Sequence, residues 1–204
     1  MYRIPRIDCN VACPASLEEA FARTVRETVA CNNWPADFPY APQVGFRIFH
    51  TGADLLLRFD VAERCTAART LDDNGPVWTD SCAEFFFRPE GSDSYYNFEC
   101  NAAGKMYIAC GMTREGRKQV AAIHYHNVKR WTSFGRKTFK EKNGRQTWEV
   151  ALIIPLDVMT SHHLRHPRGM TMRANFYKCG DKLAKPHFLS WNPVDCDHPD
   201  FHRP

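Results

Sequence analysis

Two segments of the chain combine a tryptophan with acids, amides or a lysine. The first, from Val77 to Phe87, includes Trp78 and Glu84, and the second runs from Asn175 to Trp191. A pyranose has C–H groups on its ring faces and hydroxyls at its edge. A flat apolar ring beside short hydrogen-bonding groups is therefore suited to holding a sugar. The pattern indicates binding rather than turnover.

The elements that position these residues are predicted to be strands, rich in β-branched and aromatic residues and separated by turn signals. Such strands, without long intervening helices, predict an all-β protein, an antiparallel β-sandwich of the jelly-roll kind. The predicted strands are Val44–His50, Asp54–Val61, Ser81–Arg88, Tyr95–Asn101, Lys105–Cys110, Val120–His126, Gln146–Ile154, Met170–Lys178 and His187–Trp191.

Helical structure is predicted only as short turns. Ser16 and Glu19 form a capping box, which predicts a turn over Ser16–Ala22 followed by a strand, and a second turn is expected over Leu156–His163. Asn143-Gly144 is the strongest hairpin signal and predicts a tight turn before Gln146. The length of 204 residues suits one domain, predicted to span residues 1–204.

Alternation along the strands decides which residues share a face. Trp78 and Glu84 share a parity opposite to the apolar residues of their strand, and Asn97, Glu99 and Asn101 do the same on the next strand. If the two strands align, these five residues gather on one polar surface. A wet sheet face is the ordinary alternative for any one of them. The later strand adds Asn175 on one parity and Lys178 on the other.

Composition places the chain among ordinary globular proteins. Charged residues make up 25% and the net charge is +4, with basic residues scattered, so nucleic acid is not expected as a partner. No stretch is apolar enough to span a membrane. Nine cysteines without a regular framework, and no visible signal peptide, favour a reducing cytoplasm. A polysaccharide ligand would instead favour the outside of the cell, and the sequence leaves this open.

Catalytic and metal-binding motifs are weak. Asp80 and Glu84, four residues apart on one strand, lie about 13 Å apart by strand rise, beyond the roughly 5–9.5 Å of a glycosidase pair. No catalytic residue and no cofactor is therefore predicted. Two sets could offer ligands to a structural metal, and Met106 or Met112 with His124 or His126 could formally hold haem. The two metal sets are His162, His163 and His166, and Cys196, His198 and His202.

The sequence resembles family 9 carbohydrate-binding modules, especially the stand-alone branch of gut Bacteroidetes, from about Trp34 to His202. The blocks that carry the resemblance are Val77–Phe87, Tyr95–Asn101, Asn175–Asp181 and His187–Trp191. Xylanase-linked members of that family hold a terminal sugar between two tryptophans, with acid, amide and arginine groups on its hydroxyls. The resemblance implies a β-sandwich with Trp78 and Trp191 as the two rings and Glu84 as the acid. The family's strand arginine falls at Glu99 here, which leaves the sugar open.

These observations together predict non-catalytic binding of a polysaccharide or oligosaccharide end, from xylan or a related plant-type glycan. Trp78 and Trp191 should face each other across a pocket at one end of the sandwich. The predicted polar partners are Glu84, Asn97, Glu99 and Lys178, followed by Asn101, Asn175 and Asp181. The alternative is an enzyme that hydrolyses O-glycosyl bonds, or an accessory subunit of such an enzyme in glycan catabolism.

Overall fold

The computed structural model describes residues 1–162, 164 and 167–203. Two helices are present, α1 (Pro14–Ala22) and α2 (Ala122–Asn127), with 3-10 turns at Val77–Thr79 and Leu156–Val158. The strands are β1 (Glu27–Thr28), β2 (Cys31–Asn32), β3 (Gln43–His50), β4 (Asp54–Ala68), β5 (Cys82–Pro89), β6 (Tyr95–Asn101), β7 (Met106–Gly111), β8 (Lys118–Gln119), β9 (Lys129–Thr132), β10 (Phe139–Pro155), β11 (Met172–Cys179) and β12 (Phe188–Ser190).

The strands form two antiparallel sheets that pack face to face. One has five strands in the order β1-β3-β4-β10-β9, and the other has seven in the order β2-β12-β11-β5-β6-β7-β8. The prediction of an antiparallel β-sandwich is confirmed. None of the helices in the described residues is long and apolar enough to cross a membrane.

The core between the sheets is built from alternate residues of each strand. Phe46 of β3 stacks on Phe176 of β11 with ring centroids 3.6 Å apart, and Phe85 of β5 stacks on the same ring at 4.8 Å. All three side chains are buried. Burying one such side chain contributes about 1.5–3 kcal/mol. This interlayer core fixes which residues of β5 and β11 point the opposite way.

The opposite side of the seven-stranded sheet, called here the outer face, is covered by the C-terminal segment. Phe201 stacks on Tyr177 of β11 with centroids 4.2 Å apart, and the Tyr177 hydroxyl donates to the Phe201 carbonyl at 3.2 Å. Phe201 and Tyr177 belong to a second buried cluster with Phe86 and Tyr95. Part of the outer face is therefore buried in a second hydrophobic cluster, and another part lines a pocket.

Asn143-Gly144 does not form the predicted hairpin turn. Both residues lie inside the 17-residue strand β10, which pairs with β4 from Pro155 back to Phe139. The register shifts on both sides of Asn143, and Gly144 has a φ of 93°. The Asn143-Gly144 pair, which could form a turn, thus forms a bulge in a continuous strand, because pairing with β4 provides more hydrogen bonds than a local hairpin would.

The predicted strand Val120–His126 is wrong, because most of that segment forms α2. Tyr125 is buried, and its hydroxyl donates to Asn74 and accepts from the Ile108 backbone N–H. The predicted strand Tyr95–Asn101 is present with the same ends, and the other predicted strands are present with shifted ends. The turn over Ser16–Ala22 lies within α1, but only the short strands β1 and β2 follow it.

Candidate functional site

A small pocket with a cavity volume of about 80 Å³ and an open mouth lies on the outer face. Its floor comes from β5, β6 and β11, and its walls come from the 3-10 turn at Val77–Thr79, the loop between β7 and β8, and the C-terminal segment. The lining residues are Trp78, Glu84, Glu99, Arg114, Arg117, Cys179, Asp181, Phe188, Pro199, Asp200, Phe201 and His202. We call this cavity the outer-face pocket.

Two glutamates form the floor of the outer-face pocket. Glu84 of β5 and Glu99 of β6 are direct cross-strand partners, and each is 3% exposed. Side chains in such a pair have Cβ atoms about 4.5–5.5 Å apart. Burial raises the pKa of Glu84 to about 7. Burial, and then the charge of Glu84, raises the pKa of Glu99 well above its usual range, so near neutral pH the pair retains at least one proton.

Arg117 and Asp181 lie at the sides of the floor. Arg117 Nη1 is 3.7 Å from Glu99 Oε1, while Arg117 Nε donates to the Arg114 carbonyl at 2.9 Å. The backbone N–H of Asp181 donates to the Trp78 carbonyl at 3.2 Å. Burial raises the pKa of Asp181 to about 6. The Arg117 side chain and the Asp181 backbone are thus fixed by contacts that leave side-chain polar atoms without a hydrogen-bond partner in the described residues.

Three polar atoms around this pocket are buried without a hydrogen-bond partner in the part of the chain that the structure describes. They are Glu99 Oε2, Asp181 Oδ1 and Arg117 Nη1. A buried polar group without a partner costs about 1–3 kcal/mol, and such groups are few in folded proteins. These two acceptors and one donor converge on one cavity. A ligand with several hydroxyls would give all three a hydrogen-bond partner.

Aromatic side chains form the apolar part of the outer-face pocket. Trp78 is half-buried and holds an edge contact with Tyr107 at a centroid distance of 5.5 Å. Phe201 lines the pocket together with Phe188, 6.2 Å away in an edge contact. His202 contributes a neutral ring, because burial lowers its pKa to about 3. The pocket therefore offers flat apolar surface beside the unpaired polar atoms.

Trp191 does not face Trp78, so the expected pair of tryptophans is wrong. The Trp191 ring makes edge contacts at 5.6 Å with Tyr2, Phe46 and Phe176, all of which belong to or pack against the interlayer core. Its indole N–H donates to Glu27 at 3.3 Å. Strand β12 ends at Ser190. The side chain of the next residue, Trp191, lies on the interlayer side of the sheet and not on the outer face.

Lys178 is not in the outer-face pocket either. Its parity on β11 points it between the sheets, where it is fully buried and lies 2.9 Å from Glu63 Oε2 and 2.7 Å from His187 Nε2. Burial, and then Lys178, lowers the pKa of His187 to about 3, so this ring is neutral. Lys178 is thus a partner in a buried ion pair and is closed to any ligand.

The three asparagines support structure near the pocket without lining it. Asn101 donates to Asp80 at 3.0 Å and accepts from the backbone of the turn after β6. Asn175 accepts from the backbone N–H of Asn192 at 2.9 Å and donates to its carbonyl at 3.0 Å. Asn97 donates to Glu99 Oε1 at 2.9 Å and so orients that acid. Among the predicted residues, the structure gathers Trp78, Glu84, Glu99 and Asp181.

Sequence reasoning missed Arg117, Phe201 and His202. Arg117 follows the turn signal Arg114-Glu115-Gly116, and its position beside Glu99 depends on the pairing of β7 with β8. Phe201 and His202 lie in an irregular segment whose docking no periodicity predicts. The one available signal was a pair of aromatic rings in a short polar tail.

The two sets of residues that could offer metal ligands are not seen as clusters in the described residues. His163 and His166 lie outside the described residues. Within the described residues, Cys196, His198 and His202 form no group of close ligand atoms, and His202 Nδ1 bonds to the Tyr95 hydroxyl at 2.8 Å. For haem, Met106 is fully buried in the interlayer core while Met112 is 62% exposed. The ligand atoms that do lie together belong to Cys82, Glu84 and Cys179.

A larger, shallower cleft lies beside Tyr40 and is the rival site. Its lining includes Tyr40, Gln43, Arg64 and Lys185. The Tyr40 hydroxyl already accepts from the Arg64 backbone N–H at 2.7 Å, and Lys185 lies over its ring at 5.7 Å. This cleft contains one aromatic ring whose polar group is already used.

The family described as Carbohydrate-binding family 9 matches residues 13–204 of the chain. Among solved structures, a protein from Bacteroides uniformis provisionally described as carbohydrate-binding is 41% identical, with a TM-score of 0.92 over 98% of this chain and 93% of that one. A family 9 module from Caldicellulosiruptor kristjanssonii in complex with glucose has 10% identity and a TM-score of 0.51, over 93% of this chain and 82% of that one. No curated protein gives a significant match.

Proposed function

The chain belongs to carbohydrate-binding family 9, and from that premise we propose that its outer-face pocket binds the terminal sugar of a glycan without cleaving it. The observation that carries the proposal is the set of unpaired atoms on Glu99, Asp181 and Arg117 beside the Trp78 ring. Sugar hydroxyls donate and accept, so one sugar edge can satisfy both carboxyl oxygens and the guanidinium. The ring of Trp78 then covers an apolar sugar face.

The polar groups of the outer-face pocket suit a neutral sugar. The Glu84–Glu99 pair retains a proton near neutral pH, so it offers both a donor and an acceptor and little net charge. Arg117 supplies the guanidinium that the family resemblance placed on a strand, now from the residue before β8. An arginine side chain therefore lies next to Glu99, although Glu99 itself occupies the strand position where the family has its arginine.

The shape of the outer-face pocket favours the end of a chain over its middle. Walls from the Trp78 turn, from Arg114 and Arg117, and from Pro199–His202 surround a floor closed by the sheet. A terminal residue can enter such a pocket while the rest of the glycan extends into solvent. We propose xylan or a related plant-type polysaccharide as the source, on the strength of the family resemblance.

The biological setting follows from the relatives. The likeness to the Bacteroides uniformis protein covers nearly the whole of both chains. This supports membership of the Bacteroidetes-type branch, and we propose that residues 1–204 act as one binding domain. We propose that the protein works beside glycoside hydrolases in the breakdown of such glycans.

Calorimetric titration against a panel of xylo-, cello- and galacto-oligosaccharides tests the proposal. Trp78→Ala should weaken binding by about 10–100-fold, since one stacked aromatic ring contributes about 1–3 kcal/mol. Tyr40→Ala removes the aromatic ring of the rival cleft and is the matched control, which should bind like wild type. A panel in which Tyr40→Ala loses binding and Trp78→Ala keeps it would refute this site.

Hydrolysis is the second candidate, because Glu84 and Glu99 are direct cross-strand partners. Cross-strand partners have Cβ atoms about 4.5–5.5 Å apart, which is near the roughly 5–5.5 Å separation of carboxyls in a retaining glycosidase, whereas Asp80 and Glu84 on one strand are farther apart. Both carboxyls have raised pKa values, which leaves no fully ionised nucleophile and favours binding. Incubation with aryl-glycosides and xylo-oligosaccharides decides between them, since turnover that Glu84→Gln abolishes would establish an enzyme.

A further inference from the structure

We propose that Cys82, Glu84 and Cys179 form a zinc-binding site in the floor of the outer-face pocket. Cys82 and Glu84 share one face of β5, and Cys179 of β11 is the direct cross-strand partner of Cys82. One ligand atom from each residue lies within 4.8 Å of the other two. The alternation of the two strands therefore brings two sulfurs and a carboxylate oxygen to one point.

The spacing of these atoms is close to that of a zinc site. Zn–S bonds of about 2.3 Å and Zn–O bonds of about 2.0–2.2 Å place tetrahedral ligand atoms about 3.5–3.8 Å apart. The Cys179 sulfur lies 3.0 Å from Glu84 Oε1. All three residues are at most 3% exposed, so the sheet holds their backbones firmly. Little side-chain movement is needed to enclose an ion.

The donor set selects the kind of metal. Two thiolates favour zinc over calcium or magnesium, which take oxygen ligands. Three protein ligands leave one tetrahedral position, and the site opens onto the pocket lined by Cys179 and Glu84. That position can hold a water molecule or a ligand hydroxyl.

A second observation near these residues also indicates a ligand. Asp181 lies beside the Cys179 side chain, and its Oδ1 atom is buried without a hydrogen-bond partner in the described residues. A water molecule in the fourth position could donate to this oxygen, as groups around metal sites commonly accept hydrogen bonds from bound water.

The ordinary alternative is a pair of buried thiols that donate hydrogen bonds. Cys179 is within 3.5 Å of the Trp78 carbonyl as well as near Glu84, so its proton has acceptors. Cys100 is equally buried but lies in the interlayer core, where its thiol donates to the Asn101 carbonyl at 3.7 Å. Metal binding differs from this alternative because each bound Zn²⁺ must release two thiol protons to solvent.

The test uses the reduced, chelator-treated protein without any sugar, so that its outcome is independent of the proposed function. Titration with Co²⁺ should give tetrahedral visible bands and a thiolate charge-transfer band that saturates at one ion per chain, and Zn²⁺ should displace the cobalt. Cys82→Ser and Cys179→Ser should lose the band, while Cys100→Ser, the matched buried thiol, should keep it.

Three results would overturn the zinc site. These are no saturable band in the wild type, an unchanged band in both serine variants, or a Cys82–Cys179 disulfide in freshly purified protein. Circular dichroism checks that each variant retains its sheets. If a serine variant unfolds, Glu84→Gln is tested in its place. This variant should keep the band but bind Co²⁺ at least tenfold more weakly than wild type. Sugar titration of the same metal-free protein shows separately whether glycan binding stands.

Discussion

Replacing Lys178 with methionine should remove a large part of the protein's free energy of unfolding and leave the sugar site intact. Lys178 Nζ lies 2.9 Å from Glu63 Oε2, and both side chains are fully buried. Removing one partner of a buried ion pair costs about 3–5 kcal/mol, because the remaining charge is left without compensation. A domain of this kind has a free energy of unfolding of about 5–15 kcal/mol, so the loss is a large part of the total.

Urea unfolding measures this change directly. Lys178→Met should lower the free energy of unfolding by about 3–5 kcal/mol. The double variant Lys178→Met/Glu63→Gln should recover most of the loss, since the glutamine still accepts from the Trp148 indole, which donates to Glu63 Oε1 at 2.7 Å. Sugar affinity of the folded single variant should equal that of wild type. A stable Lys178→Met protein that no longer binds sugar would show that this lysine is a ligand after all.

Three further predictions concern Arg117 in the outer-face pocket, Trp191 outside it, and the pH dependence of stability. Arg117→Met should weaken sugar binding by about 10–150-fold by calorimetry, because a charged hydrogen bond of about 1.5–3 kcal/mol is lost, while wild-type affinity would show that Arg117 does not touch the sugar. Trp191→Ala should cost about 1–3 kcal/mol of stability in urea, because the partly buried ring packs against the interlayer core, without changing affinity, and a large affinity loss in the folded variant would restore Trp191 to the site. Compared with a His187→Gln variant, which lacks the titrating ring, wild-type stability should fall by up to about 1.4 kcal/mol per pH unit below about pH 6.5, since His187, facing Lys178, Glu63 and Tyr40, stays neutral in the fold to about pH 3 but protonates when unfolded. A stability difference between the two proteins that stays constant from about pH 6.5 to 5 would contradict the neutral ring.

Period-two alternation predicted more of the site than any motif did. It correctly placed Glu84 and Glu99 on one face, because the core residues Phe85 and Phe98 fix the opposite parity of both strands. It also separated Lys178 from Asn175 by parity, although the lysine was then expected in the pocket. Parity holds only inside a strand, so it could not place Trp191, which follows the last residue of β12.

The remaining parts of the pocket depend on contacts between distant segments. Phe201 reaches Tyr177 across 24 residues of chain, and Arg117 reaches Glu99 from a different loop. No local propensity encodes such contacts, because burial on the outer face decides them. The same holds for Gly144, whose turn signal is overridden by the long pairing of β10 with β4.

The indole N–H resonances of the protein offer the most direct measurement of where the sugar binds. The chain has five tryptophans, so a two-dimensional ¹⁵N spectrum gives five separable side-chain signals. Titration with the oligosaccharide that calorimetry selects should shift the Trp78 indole signal in a saturable way. The signals of Trp191, which packs against the interlayer core, and of Trp131, 53% exposed elsewhere, should stay in place. A saturable shift of Trp191 with Trp78 unmoved would contradict the assignment of the outer-face pocket.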